Sequence, residues 1–294
     1  MNPYFTKGAT CLSFSGGRTS AYMLYKTLEA HDGVLPDETF VTFANTGMEH
    51  PATLDFVRDC GEQWGVDIVW LEATTRLGGD GENKFVYGYR FVDHATASRN
   101  GEPFAELIAA RGYPPNRLVR YCTGQLKIKR IMQFMRDKGH PDYTALVGLR
   151  ADEPRRAVRM HNQKREGGDC WCPLYVDGVT KEVVSDFWKQ QNFDLTLPNR
   201  NGVTDLGNCT LCFLKGPNKK LSIIRQQPDL ADWWIEQEEK IGSTFRNDQP
   251  DYSTMKMIIM AFRMFALLGL SSTNPNIEKI SLKTTILIAI MSNH

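Results

Sequence analysis

The chain has 294 residues, a formal net charge of +1, 41% hydrophobic residues and 23% charged residues. That describes an ordinary globular protein with enough chain for a sizeable core, as one large domain or a domain with an appendage. So even a balance of charge excludes a globally basic nucleic-acid binder and leaves room only for a local patch.

The first ten residues, MNPYFTKGAT, contain no apolar signal core. A cytoplasmic location is therefore expected, where thiols stay reduced. The seven cysteines then read as metal ligands, catalytic thiols or small core residues rather than disulfides.

In chain order, TCLSF (10–14) is short, apolar and bounded by turn residues, so it predicts a buried strand. Residues 18–31 place Tyr22, Leu24, Tyr25 and Leu28 at helical spacing. TFVTFANTG (39–47) predicts a second strand. Residues 51–65 predict a helix opened by Pro51, and DIVWLEA (67–73) a third strand. This β-α-β-α-β alternation with short connections implies the α/β class: an open parallel sheet with helices on both faces. Residues 74–118 are polar and glycine-rich and read as an irregular excursion over a site. Further helices are expected at 123–139, 180–191 and 228–242, and a strand at 143–150. From about Met255 the tail changes character. MKMIIMAFRMFALLGL is apolar but interrupted by Arg263, too short for a membrane span, and reads as a docking helix, with KTTILIAIM (283–291) as a second apolar piece. No membrane association is expected.

The junction after the first strand is Ser15-Gly16-Gly17-Arg18-Thr19-Ser20. Backbone N–H groups and the positive end of a helix bind anions at such a junction. The glycines let phosphate oxygens approach the main chain, Ser15, Thr19 and Ser20 add hydroxyls, and Arg18 adds a fixed charge. The carboxyl end of a first strand is also where open α/β sheets place ligands. The Walker pattern is absent, and a plain βα turn with convenient glycines is the alternative. Cys209-Thr-Leu-Cys212 is a C-x-x-C, which in a reducing compartment indicates metal or redox chemistry. Two thiolates need further ligands, and Cys172, in DCWCPLY, is a candidate fourth. Cys11 and Cys60 read as packing residues, Cys170 is undecided, and neither His50 nor His94 is assigned a catalytic role.

Six segments stand in order: SGGRTS, NTGMEHPATLDFV, RYCTGQLKIKRI, GLRADEPRRAVR, PLYVDGVTKEVVSDFW and GNCTLCF. Together they resemble the phosphoadenosine phosphosulfate (PAPS) reductase family, within the PP-loop ATP pyrophosphatases (adenine nucleotide alpha hydrolase-like), over residues 10–250. The resemblance implies a nucleotide-binding PP-loop domain over 1–165, a C-terminal cysteine-bearing helical part over 166–250, and an atypical tail over 251–294. It implies a phosphate loop of Ser15, Gly16, Gly17, Arg18, Thr19 and Ser20, although the family carries Lys-Asp where this chain has Arg18-Thr19. Asn45, Thr46 and Gly47 would meet the adenine nucleotide, and Glu49 and Pro51 fall in the family's next motif. Gly148 and Arg150, with Arg156 and Arg159, would face a phosphate or sulfate group, as would Lys127. Cys122 matches the first cysteine of the iron–sulfur-bearing relatives, so Cys122, Cys209 and Cys212 are the expected metal set, holding a 4Fe–4S cluster or, as alternatives, zinc or no metal at all, the three remaining free thiols.

A PAPS reductase proper needs a nucleophilic cysteine near its C-terminus, and no cysteine follows Cys212 in this sequence. The expected activity is therefore the other chemistry of the superfamily. ATP, with Mg²⁺, is cleaved between its α and β phosphates to activate an acceptor for sulfur transfer. A sulfonucleotide reductase with an atypical thiol, using PAPS and a thioredoxin-like reductant, is the first alternative, and a non-catalytic nucleotide-binding module the second. The expected partners are an adenine nucleotide and a sulfur donor, with a nucleic acid substrate and an oligomeric state both left open.

Overall fold

The computed structural model describes residues 2–78, 84–162, 166–200 and 202–267. The chain divides into two units, Met1–Arg111 with Arg120–Thr210, and Gly112–Val119 with Leu211–His294.

The first unit carries β1 (Thr10–Ser13), α1 (Arg18–Ala30), β2 (Thr39–Asn45), α2 (Pro51–Trp64), β3 (Ile68–Leu77), β4 (Phe85–Val92) and α3 (Glu102–Arg111). A π-helical turn (Thr123–Ile128) then runs into α4 (Lys129–Asp137). β5 (Thr144–Val147), α5 (Pro154–Asn162), β6 (Cys170–Trp171), α6 (Pro173–Val176) and α7 (Lys181–Trp188) complete it. The sheet order is β4-β3-β2-β1-β5-β6. Every neighbouring pair is parallel except β3–β4. Thr10 of β1 lies level with Thr39 of β2 and Thr144 of β5.

Alternation along the strands puts helices on both faces. On one face Cys11 and Leu71 pack with Phe134 and Met135 of α4. On the other, Phe43 meets Trp70 edge-on at 4.9 Å and comes up beneath Thr53 and Val57 of α2 at Gly16. Cys11 and Cys60 are fully buried, and burial pushes the Cys11 thiol up to about 12 and raises that of Cys60 as well. Both are packing residues, as expected.

Residues 74–118 are not an irregular excursion. They hold the end of β3, the antiparallel strand β4 and helix α3. Phe85, Tyr87, Tyr89 and Phe91 alternate as a strand should, but Gly88 and Arg90 lower the local strand signal. The sheet is therefore mostly parallel with one antiparallel edge.

The second unit is helical: α8 (Pro217–Gln226), a 3₁₀ turn (Pro228–Ala231), α9 (Asp232–Ile241) and α10 (Tyr252–Leu267). Trp234 stacks on Tyr252 at 5.1 Å, and the Glu238 carboxylate accepts from the amides of Phe245 and Tyr252, each at 3.0 Å. The tail expected from Met255 thus begins inside α10, while residues 268–294, including the second apolar piece, lie outside the described residues. No helix among the described residues is long and apolar enough to cross a membrane.

Lys220 is buried in this unit, its ammonium 4.9 Å from the centre of the Tyr252 ring. Burial, and after it the charge of Arg246, pull its pKa down to about 8. The unfolded lysine titrates near 10.4, so between about 8 and 10.4 the unfolded chain binds more protons. Stability from this group therefore rises with pH across that window. Lys220→Met is expected to stabilise the protein at pH 7 by about 1–2 kcal/mol, net of the lost ring contact. The advantage should shrink above pH 8. Urea melts of both proteins at neutral and alkaline pH measure this.

Candidate functional site

The chain passes from β1 to β2 and β3 on one side, and later to β5 and β6 on the other. The order reverses beside β1, so the carboxyl ends of β1 and β5 flank a switch point, where such sheets open a crevice. The two loops there touch. A Cβ on Gly148 would lie 3.5 Å from the Ser20 Cα, and the Arg150 guanidinium donates to the Thr19 hydroxyl at 3.0 Å. Arg150 is also held by Asp152 at 2.8 Å. The expected phosphate loop and the Gly148–Arg150 segment are thus adjacent.

Within the loop the glycines have different duties. Gly16 has φ +72°, and a Cβ there would fall 2.6 Å from the Thr53 methyl and 3.1 Å from Val57. Its lack of a side chain serves packing against α2. Gly17 is the N-cap of α1, and a Cβ on it would meet nothing closer than the Ser15 Oγ at 3.8 Å. The open approach is therefore over Gly17. The Ser20 hydroxyl accepts from the amides of Ser15 at 3.1 Å and Gly17 at 3.3 Å and donates to the Gly17 carbonyl at 2.9 Å. Two loop amides are thereby capped by the chain itself. The amides of Arg18, Thr19 and Ser20 open α1, and a first helical turn offers them no acceptor within the helix.

The Arg18 side chain, expected to face a phosphate, is engaged by the protein itself. Its guanidinium is buried and forks onto Asp194 at 2.7 and 2.8 Å. It also donates to Thr204 at 3.0 Å and to the carbonyls of Leu195 and Leu197. These hydrogen bonds all run to the segment 194–204.

At the end of β2, Asn45 is likewise satisfied by protein. Its Nδ2 donates to Glu72 at 2.7 Å and to the Ser98 carbonyl at 2.9 Å, and its Oδ1 accepts from the Gly47 amide at 3.1 Å. Glu72 is fully buried; it accepts in addition from the Ser98 amide and hydroxyl, each at 2.9 Å, and from Arg90. Gly47 has φ +76°, and its carbonyl accepts from Gly101, whose Cα would lie 3.0 Å from any Cβ on Gly47. Asn45 and Gly47 therefore frame the site's wall.

Thr46 leads to the thiols. Its amide and hydroxyl donate to the Glu49 Oε2 at 2.9 and 2.7 Å, and its Oγ1 lies 3.5 Å from the Cys209 Sγ. The Glu49 and Cys209 backbones form an antiparallel bridge. The buried Glu49 carboxylate also takes the Lys127 ammonium at 3.2 Å. Burial works against the charge on Lys127, but Glu49, then Cys209 and Cys122, outweigh it and hold the ammonium above the ordinary lysine range. Lys127 sits in the π-helical turn that follows Cys122, a local widening frequent at functional sites.

The other expected residues lie apart or play other parts. Arg156 and Arg159 are on the exposed side of α5, Arg156 paired with Glu153. Cys172 is fully buried among Leu149 and Ala157, a packing place. Cys212 belongs to the second unit. His50 caps α2 by accepting from the Ala52 amide at 3.1 Å, and burial lowers its pKa. Among the described residues no three His, Cys, Asp or Glu side chains are grouped as a metal ion would need. Sequence reasoning placed Glu49 in a motif without giving it a chemical role, and singled out neither Glu72 nor Asp194; for Glu72 the available signal was a carboxylate closing an apolar strand, in DIVWLEA.

The uncharacterized nin region protein ORF290 of Escherichia phage lambda is 32% identical over 209 residues, covering 71% of this chain and 67% of that protein. The chain belongs to the ORF290 family. Uncharacterized protein MJ0066 of Methanocaldococcus jannaschii is 26% identical over 147 residues, 50% of this chain and 24% of that one. No family model matches. Among solved structures, the U34-tRNA thiolase NcsA from Methanococcus maripaludis with its 4Fe–4S cluster aligns over 94% of this chain and 76% of its own, at 14% identity and a TM-score of 0.35. That overlap is too loose to carry topology or chemistry across.

Proposed function

We propose that the chain is a PP-loop adenine-nucleotide enzyme that cleaves ATP between the α and β phosphates and activates an acceptor for sulfur transfer. One observation carries this reading: the open space over Gly17, at the first turn of α1, beside the loop that follows β5. The amides of Arg18, Thr19 and Ser20 and the helix dipole suit a chain of phosphates. The Arg150 guanidinium, held by Asp152 and Glu153, reaches Thr19. An acceptor oxygen attacking the α phosphorus breaks the bridge to the β phosphate, and pyrophosphate leaves. ATP would arrive as its Mg²⁺ complex, and no residue is assigned to that ion.

In the sulfur step a sulfide-level donor would displace AMP from the adenylated acceptor, AMP carrying off the acceptor oxygen; the thiols of Cys122 and Cys209 would hand over that donor, with Lys127 as their charge partner, since a nearby ammonium favours the nucleophilic thiolate. A 4Fe–4S cluster or zinc would need a third ligand. The donors within the first unit do not supply one, so no step runs through a metal. Iron and zinc analysis of anaerobically purified chain separates bare thiols from a thiolate-held metal.

Incubation with ATP and candidate acceptors, a polynucleotide among them, should release pyrophosphate. Thioredoxin-dependent sulfite from PAPS would instead support the reductase reading, and nucleotide binding with neither product a binding module. Arg150→Ala is expected to weaken ATP binding about tenfold; an unchanged dissociation constant by calorimetry removes Arg150 from the site.

A further inference from the structure

The two edges of the sheet are unlike. β6 is two residues long, whereas β4 runs for eight, Phe85–Val92, paired on one side only with β3. Among the described residues no backbone group pairs with its outer side. It contains no proline, and its register with β3 runs unbroken from Leu77↔Phe85 to Trp70↔Val92. A long edge strand with no outer partner among the described residues is a template for another strand. Val86 and Phe91 on it are 41% and 62% exposed.

The sequence of the strand says which strand fits. FVYGYRFV is nearly its own reverse about Gly88. Laid antiparallel on a second copy with Gly88 opposite Gly88, it sets Phe85 against Phe91 and Tyr87 against Tyr89, twice over. Aromatic pairs opposite one another are among the favourable cross-strand contacts. The remaining cross-pair is Val86 against Arg90, so no like charges face each other. The central glycine leaves nothing between the two backbones at the axis. We infer that β4 is a homodimer edge: two copies of this chain pair β4 to β4 about a twofold at Gly88 and join their sheets into one.

The interface is isologous, so a single substitution acts twice. Light scattering and sedimentation of the full chain should find a dimer at micromolar concentration. Val86→Lys places an ammonium opposite Arg90 of the second copy and should weaken dimerisation at least about tenfold. Val86→Glu, whose carboxylate would share the Arg90 guanidinium with Glu72, should leave the dimer intact. Phe91→Asp, on the other face of the strand, should also dissociate it, and serves if Val86→Lys does not fold. A monomeric wild-type chain overturns the inference. So does a dimer indifferent to both disruptive variants, or one that Val86→Glu breaks as readily as Val86→Lys.

Discussion

Gly16→Ala should lower the unfolding free energy by about 3 kcal/mol, the sum of overpacking and left-handed backbone strain. The new methyl would stand 2.6 Å from the Thr53 Cγ2, 3.1 Å from Val57 and 3.3 Å from Phe43. Thr53 and Val57 are β-branched, buried residues of α2 with little rotamer freedom to yield. The backbone at φ +72° disfavours any side chain independently of that crowding. Gly17→Ala is the control. Its Cβ meets only the Ser15 Oγ at 3.8 Å, so stability should fall by no more than about 1 kcal/mol, the cost of an alanine N-cap. ATP affinity should nonetheless fall about tenfold or more, because the methyl fills the space through which phosphate would approach. Thermal melts and calorimetry on the pair measure both effects. If Gly17→Ala binds ATP as well as wild type, the proposed nucleotide site is wrong.

Arg18→Met should cost about 3 kcal/mol, the low end for breaking a buried ion pair. The guanidinium is 8% exposed, but the Asp194 carboxylate is 38% exposed and keeps some water when abandoned. The carbonyls of Leu195 and Leu197 lose their donor too, and the 194–204 segment loses its anchor on α1. Arg18→Lys should recover only part of the loss, since one ammonium cannot reproduce the fork onto Asp194 and two carbonyls. In the folded Lys variant ATP affinity should stay within about threefold of wild type, because these donors face protein. A collapse of affinity there would mean that Arg18 does reach the ligand. Denaturant melts with calorimetry in the same buffer distinguish the outcomes.

Local pattern was sufficient for much of the architecture. Short apolar runs alternating with 3.6-residue periodicity identify β1, α1, β2, α2 and β3, and a glycine-rich turn after the first strand marks where the sheet opens, because these signals act over a few residues. Packing alone decided the rest. Which glycine is crowded and which faces open space depends on α2, over thirty residues away. Whether Arg18 meets a phosphate or Asp194 depends on a partner 176 residues distant. Glu49, Lys127 and Cys209 become one cluster only when strand ends and loops converge. Charge and hydrogen-bonding capacity are properties of a residue, but their use is set by whichever acceptor the folded chain brings within about 3 Å.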